Sequence, residues 1–195
     1  MGRGPVLAPA RRIDGAGAPL GRTGPAAFPD TACRRLSGGI MSGMNESHGI
    51  RMVDVGAKPV TLRTARASAQ LRASAATVQR IRAGDLEKGD AVAAARLAGI
   101  MAAKRTSDIV PLCHPLPLDA VEVSIGFPGP DAVSIETLVR ATARTGVEME
   151  ALVAASAAAL TIYDMCKSID PGMAVEQVRL EAKTGGTRGD FAREG

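Results

Sequence analysis

Residues 61–73 read TLRTARASAQLRA, and their alternation decides the fold. Leu71, Ala69, Ala67 and Ala65 fall on one face; Arg72, Gln70, Ser68 and Arg66 fall on the other. A period of two marks a half-buried strand, because successive side chains leave the backbone on opposite sides. Downstream, SAATVQRIRAGD (74–85) predicts a short helix with Ser74 as N-cap and Gly84 at the exit. GDAVAAARLAGIMAAKRT (89–106) predicts a second helix. Asp90 in its first turn and Lys104 and Arg105 in its last complement the helix dipole. Its small residues, Ala93, Ala94, Ala98, Gly99 and Ala102, allow close packing. The proline-rich stretch beyond is expected to end it, since a residue before proline disfavours helical angles.

VEVSIGF (121–127) and AVSIETLVRATAR (132–144) predict two strands joined by a PGPD turn. Thr145 and Glu148 have the T-x-x-E spacing of a capping box, which would open a long helix over roughly 147–168. MAVEQVRLEAKTGG (173–186) holds a last strand, 177–183, ending in glycines. The order strand, helices, two strands, helix, strand predicts an α+β fold, with an antiparallel sheet packed on helices.

The 195-residue chain suits one domain with a long tail. With 46% hydrophobic residues but no Trp, one Tyr and three Phe, its core must be built from Ala, Val, Leu, Ile and Met. Of the net charge of +4, residues 1–48 carry six Arg against two Asp and one Glu, which is +3. The remainder has 18 basic and 17 acidic residues, which is +1. This near-neutral body and the scarcity of stacking aromatics argue against a nucleic-acid partner. Residues 1–48, rich in Gly, Pro, Ala and Arg, show no apolar period and are expected to be disordered. Their composition also fits a transit peptide, and Met41 and Met44 fit a start assigned too far upstream. Residues 49–195 would form the single folded domain. Three cysteines without a CxxC pair suit reduced thiols in the cytoplasm. No apolar run approaches the ~20 residues of a membrane helix, and the stretch 151–162 reads as a buried helix.

KRTSDIVPLCHPLPLD (104–119) sets His114, one of two histidines, among Pro111, Pro115 and Pro117. It reads either as a core histidine bonded to a backbone carbonyl or as a rigidly held site residue. In an extended segment Cys113 and His114 would point to opposite sides, which disfavours a nucleophile–base pair. Cys113, His114, Asp164 and Cys166 match no zinc spacing, so no metal is expected. On the long helix, Glu150 and Asp164 share a face but lie about 21 Å apart by helical rise. If both serve one small substrate, a second chain must supply one end; otherwise Glu148 and Glu150 are a cap partner and a dipole charge. Asp164 and Lys167 are i,i+3 neighbours, either an exposed ion pair or an acid/base pair tuned by the cation. KTGGTRGD (183–190) lacks the P-loop pattern. It is either a floppy tail or a loop that closes Lys183 and Arg188 over phosphates, and its Arg188-Gly189-Asp190 carries no adhesion function in a cytosolic protein.

Four segments together resemble one family: MVDVGAK (52–58), KGDAVAAARLAGIMAAKRTSDIVPLCHPLPLD (88–119), TGVEMEALVAASAAALTIYDMCKSID (145–170) and VRLEAKTGGTRGDF (178–191). They are similar to the cyclic pyranopterin monophosphate synthases of molybdenum cofactor biosynthesis, over about residues 50–192. The resemblance implies a ferredoxin-like fold and a homohexamer built as a trimer of dimers, with active sites between subunits. It implies a lyase reaction that rearranges a cyclised dihydroguanosine triphosphate into a pterin with a cyclic phosphate and releases diphosphate. A separate radical GTP cyclase would act upstream. No cofactor is implied, although Mg²⁺ is compatible with the triphosphate. Carried over by motif, the catalytic aspartate is Asp164 and the lysines needed for activity are Lys88 and Lys167; His114, from the substrate-binding turn, is read here as a fourth catalytic residue. The substrate-binding residues are Leu112, Cys113, His114, Glu148, Met149 and Glu150. Acid/base work would centre on Asp164, with Lys167 setting its charge and His114 orienting substrate and relaying protons. Lys88, Lys167 and Arg188 would face developing negative charge. Ser107 stands where relatives can carry a large aromatic. The alternative is a non-catalytic oligomeric nucleotide- or pterin-binding protein.

Overall fold

The computed structural model describes residues 49–194. The expectations for residues 1–48 therefore lie outside the described residues. Strand β1 (Thr61–Arg72) leads through helices α1 (Ala75–Ala83), α2 (Ala91–Ala103) and α3 (Thr106–Ile109) to strands β2 (Ala120–Gly129) and β3 (Ala132–Ala143). Helix α4 (Glu148–Cys166) and strands β4 (Ala174–Thr184) and β5 (Phe191–Ala192) complete it. The sheet runs β2-β3-β1-β4-β5 and every pairing is antiparallel. With β5 set aside, β1-α2-β2-β3-α4-β4 is a ferredoxin-like arrangement, with α2 and α4 side by side on one face.

The alternation in β1 is realised: Ala65, Ala67, Ala69 and Leu71 are buried with Val133, Ile135, Val139 and Ala141 of β3. Above them lie Ala151, Ala154, Ala155, Ala158, Ala159 and Ile162 of α4. These small side chains let the helices approach closely, and at Gly99 a Cβ would stand 3.0 Å from the Ala154 carbonyl oxygen and 3.0 Å from Val123 Cγ2. One polar group enters this layer without cost, because Thr137 Oγ1 donates to the Ala151 carbonyl at 2.9 Å. By length and composition α4 is sufficient to cross a membrane, longer than the run read from the sequence. Here its inner face is the core of the domain.

Two terminators act differently from expectation. Helix α2 stops at Ala103, well before Pro111. Its end is closed by Arg105 N–H on Ala102 O at 3.0 Å and by Thr106 Oγ1 on Ala103 O at 3.0 Å, and α3 follows. Asp90 stands one residue before α2 as its N-cap, accepting from Val92 and Ala93 N–H. The T-x-x-E box does not form: Val147 is the N-cap of α4, with no side-chain cap. The Glu148 carboxylate is instead engaged by Lys183 Nζ at 2.9 Å, a charge-assisted bond stronger than a neutral cap. Ser74 and Gly84 do cap α1, Gly84 with φ 68°.

Candidate active site

Antiparallel pairing brings the start of β1 beside the ends of β3 and β4, as Thr61↔Ala143 and Thr64↔Thr184 show. The turn into α4, the residue 110–114 turn and the segment preceding β1 gather at the same edge. Together they enclose a cavity of about 400 Å³. Leu112, Cys113, His114, Glu148, Met149, Glu150, Lys183 and Arg188 all line it. Every substrate-binding candidate from the sequence is thus in one place.

His114 is half-buried at the cavity wall, not in the core. The expectation that Cys113 and His114 diverge fails for a definite reason. Cys113 N–H donates to Val110 O at 3.0 Å, so the segment is a turn rather than extended, and both side chains reach the cavity. Burial and then the Glu150 charge push the Cys113 thiol above its usual range, which leaves it a poor nucleophile. Glu150 is 4% exposed. Burial raises its carboxyl to about 6; its own backbone amide opposes that shift and the Glu148 charge adds to it.

The glycine loop is an ordered closure. Gly185, Gly186 and Gly189 have φ of 88°, 91° and 76°, Asp190 Oδ1 accepts from Gly185 N–H at 3.0 Å, and β5 returns to pair Phe191 with Lys183. A Cβ at Gly186 would overlap the Arg63 guanidinium, so glycine is required there on two counts.

Asp164, Lys167 and Lys88 form a separate cluster at the far end of α4. Lys167 Nζ lies 2.7 Å from Asp164 Oδ1, and Lys88 Nζ lies 2.8 Å from Oδ2 and also donates to the Asp164 carbonyl at 2.8 Å. Bonds from Lys167 and then Lys88 hold the Asp164 carboxyl down at about 2, and the same contact raises Lys167. Both ammoniums sit where the C-terminal dipole of α4 favours cations. Within one chain, then, His114 and the Asp164 cluster belong to opposite ends of one helix. Among the described residues no three His, Cys, Asp or Glu side chains converge to hold a metal.

Comparison with known proteins sharpens the reading. The MoaC family model matches residues 52–186. The chain belongs to the MoaC family. The cyclic pyranopterin monophosphate synthase of Herpetosiphon aurantiacus is 59% identical over 141 residues, covering 72% of this chain and 86% of the relative. That of Roseiflexus is 54% identical over 152 residues, covering 77% and 96%. That of Desulfitobacterium hafniense is 51% identical over 144 residues, covering 74% and 88%.

Three charged cavity residues of this MoaC chain escaped the sequence reading: Lys58, Arg63 and Arg144. Arg63 left a signal. It continues the face of Ala65, Ala67 and Ala69, so an arginine stood at a position the alternation assigns to the interior. It is 6% exposed and donates from Nε to Ala143 O at 3.2 Å and from Nη2 to Arg144 O at 3.3 Å. Lys58 and Arg144 left none, because only the tertiary fold brings loops 86 residues apart to one wall.

Proposed function

We propose that this chain is a cyclic pyranopterin monophosphate synthase, a lyase that converts 3′,8-cyclo-7,8-dihydroguanosine 5′-triphosphate to cyclic pyranopterin monophosphate and releases diphosphate for molybdenum cofactor biosynthesis. The observation that carries this is the cavity itself. Four cations, Lys58, Arg63, Lys183 and Arg188, face it against two carboxylates, Glu148 and Glu150, beside His114, while the Arg144 guanidinium at its wall is bonded to the Gly56 carbonyl. That excess suits a polyphosphate and the negative charge that develops as diphosphate leaves. Glu150, held near 6, can exist in both protonation states near neutrality and so hand protons to a purine-derived ring.

Asp164, Lys88 and Lys167 complete the machinery. At about 2, Asp164 is a weak base while both ammoniums hold it. Phosphate oxygens that draw the lysines away would raise its proton affinity at the moment substrate is in place. Because α4 separates Glu150 from Asp164 by about 21 Å of rise, one site would take its cavity from one subunit and its Asp164 cluster from another. A homohexamer arranged as a trimer of dimers provides such interfaces. The substrate comes from a radical GTP cyclase acting upstream. No resident cofactor is needed, and Mg²⁺ would accompany the triphosphate if it takes part. The enzyme works in the cytoplasm, with residues 49–195 as its catalytic domain.

The test is diphosphate release from the cyclised triphosphate. The unaltered protein should release it. Asp164→Asn should lose about a hundredfold or more of the rate while sedimenting as the same oligomer. An Asp164→Asn protein with normal turnover, or an unaltered protein that binds the triphosphate without consuming it, overturns the assignment.

A further inference from the structure

The segment ahead of β1 is held by an unusual set of contacts. Asp54 Oδ1 accepts from Gly56 N–H at 2.7 Å, and Lys58 N–H donates to Val55 O at 3.0 Å. Residues 54–58 therefore fold into a compact strap with Lys58 at its end, and Val53, Val55 and Lys58 all border the cavity. Among the described residues, the hydrogen bond recorded from the strap to the rest of the fold is a single one: Arg144 Nη1 donates to Gly56 O at 2.8 Å. The Arg144 backbone is itself gripped, since its carbonyl accepts from Arg63 Nη2 at 3.3 Å. The same buried guanidinium lies against Gly186. Strap, Arg144, Arg63 and glycine loop thus form one chain of contacts around the cavity mouth.

We propose that Arg144 is a positioning residue for phosphate binding. It clasps the strap through Gly56 and so sets Lys58 over the polyphosphate, while Arg63 ties the clasp to the glycine loop that carries Arg188. The strap has few contacts of its own: Asp54, Gly56 and Ala57 are exposed. Without the clasp the strap loses its one hydrogen bond to the rest of the described fold, and the Lys58 contact would then carry the cost of ordering the strap at the moment of binding. Arg144 acts through Lys58, and the guanidinium can be replaced by another donor only if that donor reaches the Gly56 carbonyl. The proposal rests on the polyphosphate site assigned above, and it deepens that reading by naming what shapes the site.

A double-mutant cycle on the full chain tests it, with inorganic tripolyphosphate as the probe and titration calorimetry as the readout. Arg144→Ala and Lys58→Ala should each raise Kd about tenfold, the worth of one charge-assisted bond. The double variant should bind no more weakly than either single one. In turnover, both single variants should raise KM with kcat nearly unchanged. Hydrogen exchange of peptide 50–60 should speed up in Arg144→Ala without probe, and tripolyphosphate should no longer slow it. If the two losses multiply, Arg144 contacts phosphate on its own account and the proposal falls. Failure of the unaltered chain to bind tripolyphosphate also overturns it. Binding with a non-additive cycle but no diphosphate release leaves the clasp standing and removes only the synthase assignment.

Discussion

Glu150→Gln should make the protein more stable and less active, and the stability gain should depend on pH in a calculable way. In the folded chain the Glu150 carboxyl holds its proton up to about 6, against an ordinary value of 4.5, chiefly because it is buried. Below 4.5 both folded and unfolded chains keep the proton, and the group costs the fold nothing. Between 4.5 and about 6 the unfolded chain gives up this proton while the folded chain still holds it, so stability falls across that window and stays lower above it. At 1.36 kcal/mol for each tenfold change in proton affinity, the cost reaches about 2 kcal/mol near pH 8 and is about 0.8 kcal/mol near pH 5. The neutral amide bears neither cost. For a domain of this size 1 kcal/mol moves Tm by about 2–4 °C, so the gap between variant and parent should widen by about 2–5 °C from pH 5 to pH 8. The assay is thermal unfolding of both proteins by circular dichroism at the two pH values, with diphosphate release measured in parallel. A Tm gap that is constant with pH, or that narrows toward pH 8, would refute the reasoning.

Two further outcomes follow from the geometry. Gly186→Ala must fit a Cβ where the buried Arg63 guanidinium lies and must hold φ near 91°, so it should lose more than about 2 kcal/mol in denaturant unfolding. Gly89→Ala has φ 94° but open space around the new Cβ, and should lose only about 1–2 kcal/mol; equal losses would show that Arg63 is not packed as described. Cys113 should react with iodoacetamide at neutral pH more slowly than a free thiol, and faster in Glu150→Gln, where one of the two causes raising it is gone. A fast-reacting Cys113 in the parent would place its thiol in a different environment.

The elements legible in the sequence are those governed by neighbours along the chain. Alternation over 61–72 decided which face of β1 is inside, and the structure buries those residues. Ser74 and Gly84 mark a helix by capping chemistry that acts within one turn. The small two-residue strand β5 was not legible, since two residues carry no period and exist as a strand only because β4 offers an edge. Glu148 shows the opposite failure. Its spacing from Thr145 is right for a capping box, yet a lysine 35 residues away takes the carboxylate. Likewise the turn at Val110–Cys113 overrode an alternation argument valid only for extended chain.

By itself, then, the order of residues determined the layers of this protein: where strands and helices run, which faces are apolar, and which motif segments mark the MoaC family. Those properties depend on backbone periodicity and short-range hydrogen bonding, which are local. The tertiary structure alone decided the charge of the site. It set Arg63, Arg144 and Lys58 around one cavity, moved Glu150 toward neutrality by excluding water, and drove Asp164 the other way by placing two ammoniums on it. Electrostatic energies depend on distance and on exposure to solvent, and the chain acquires both only when its remote segments meet.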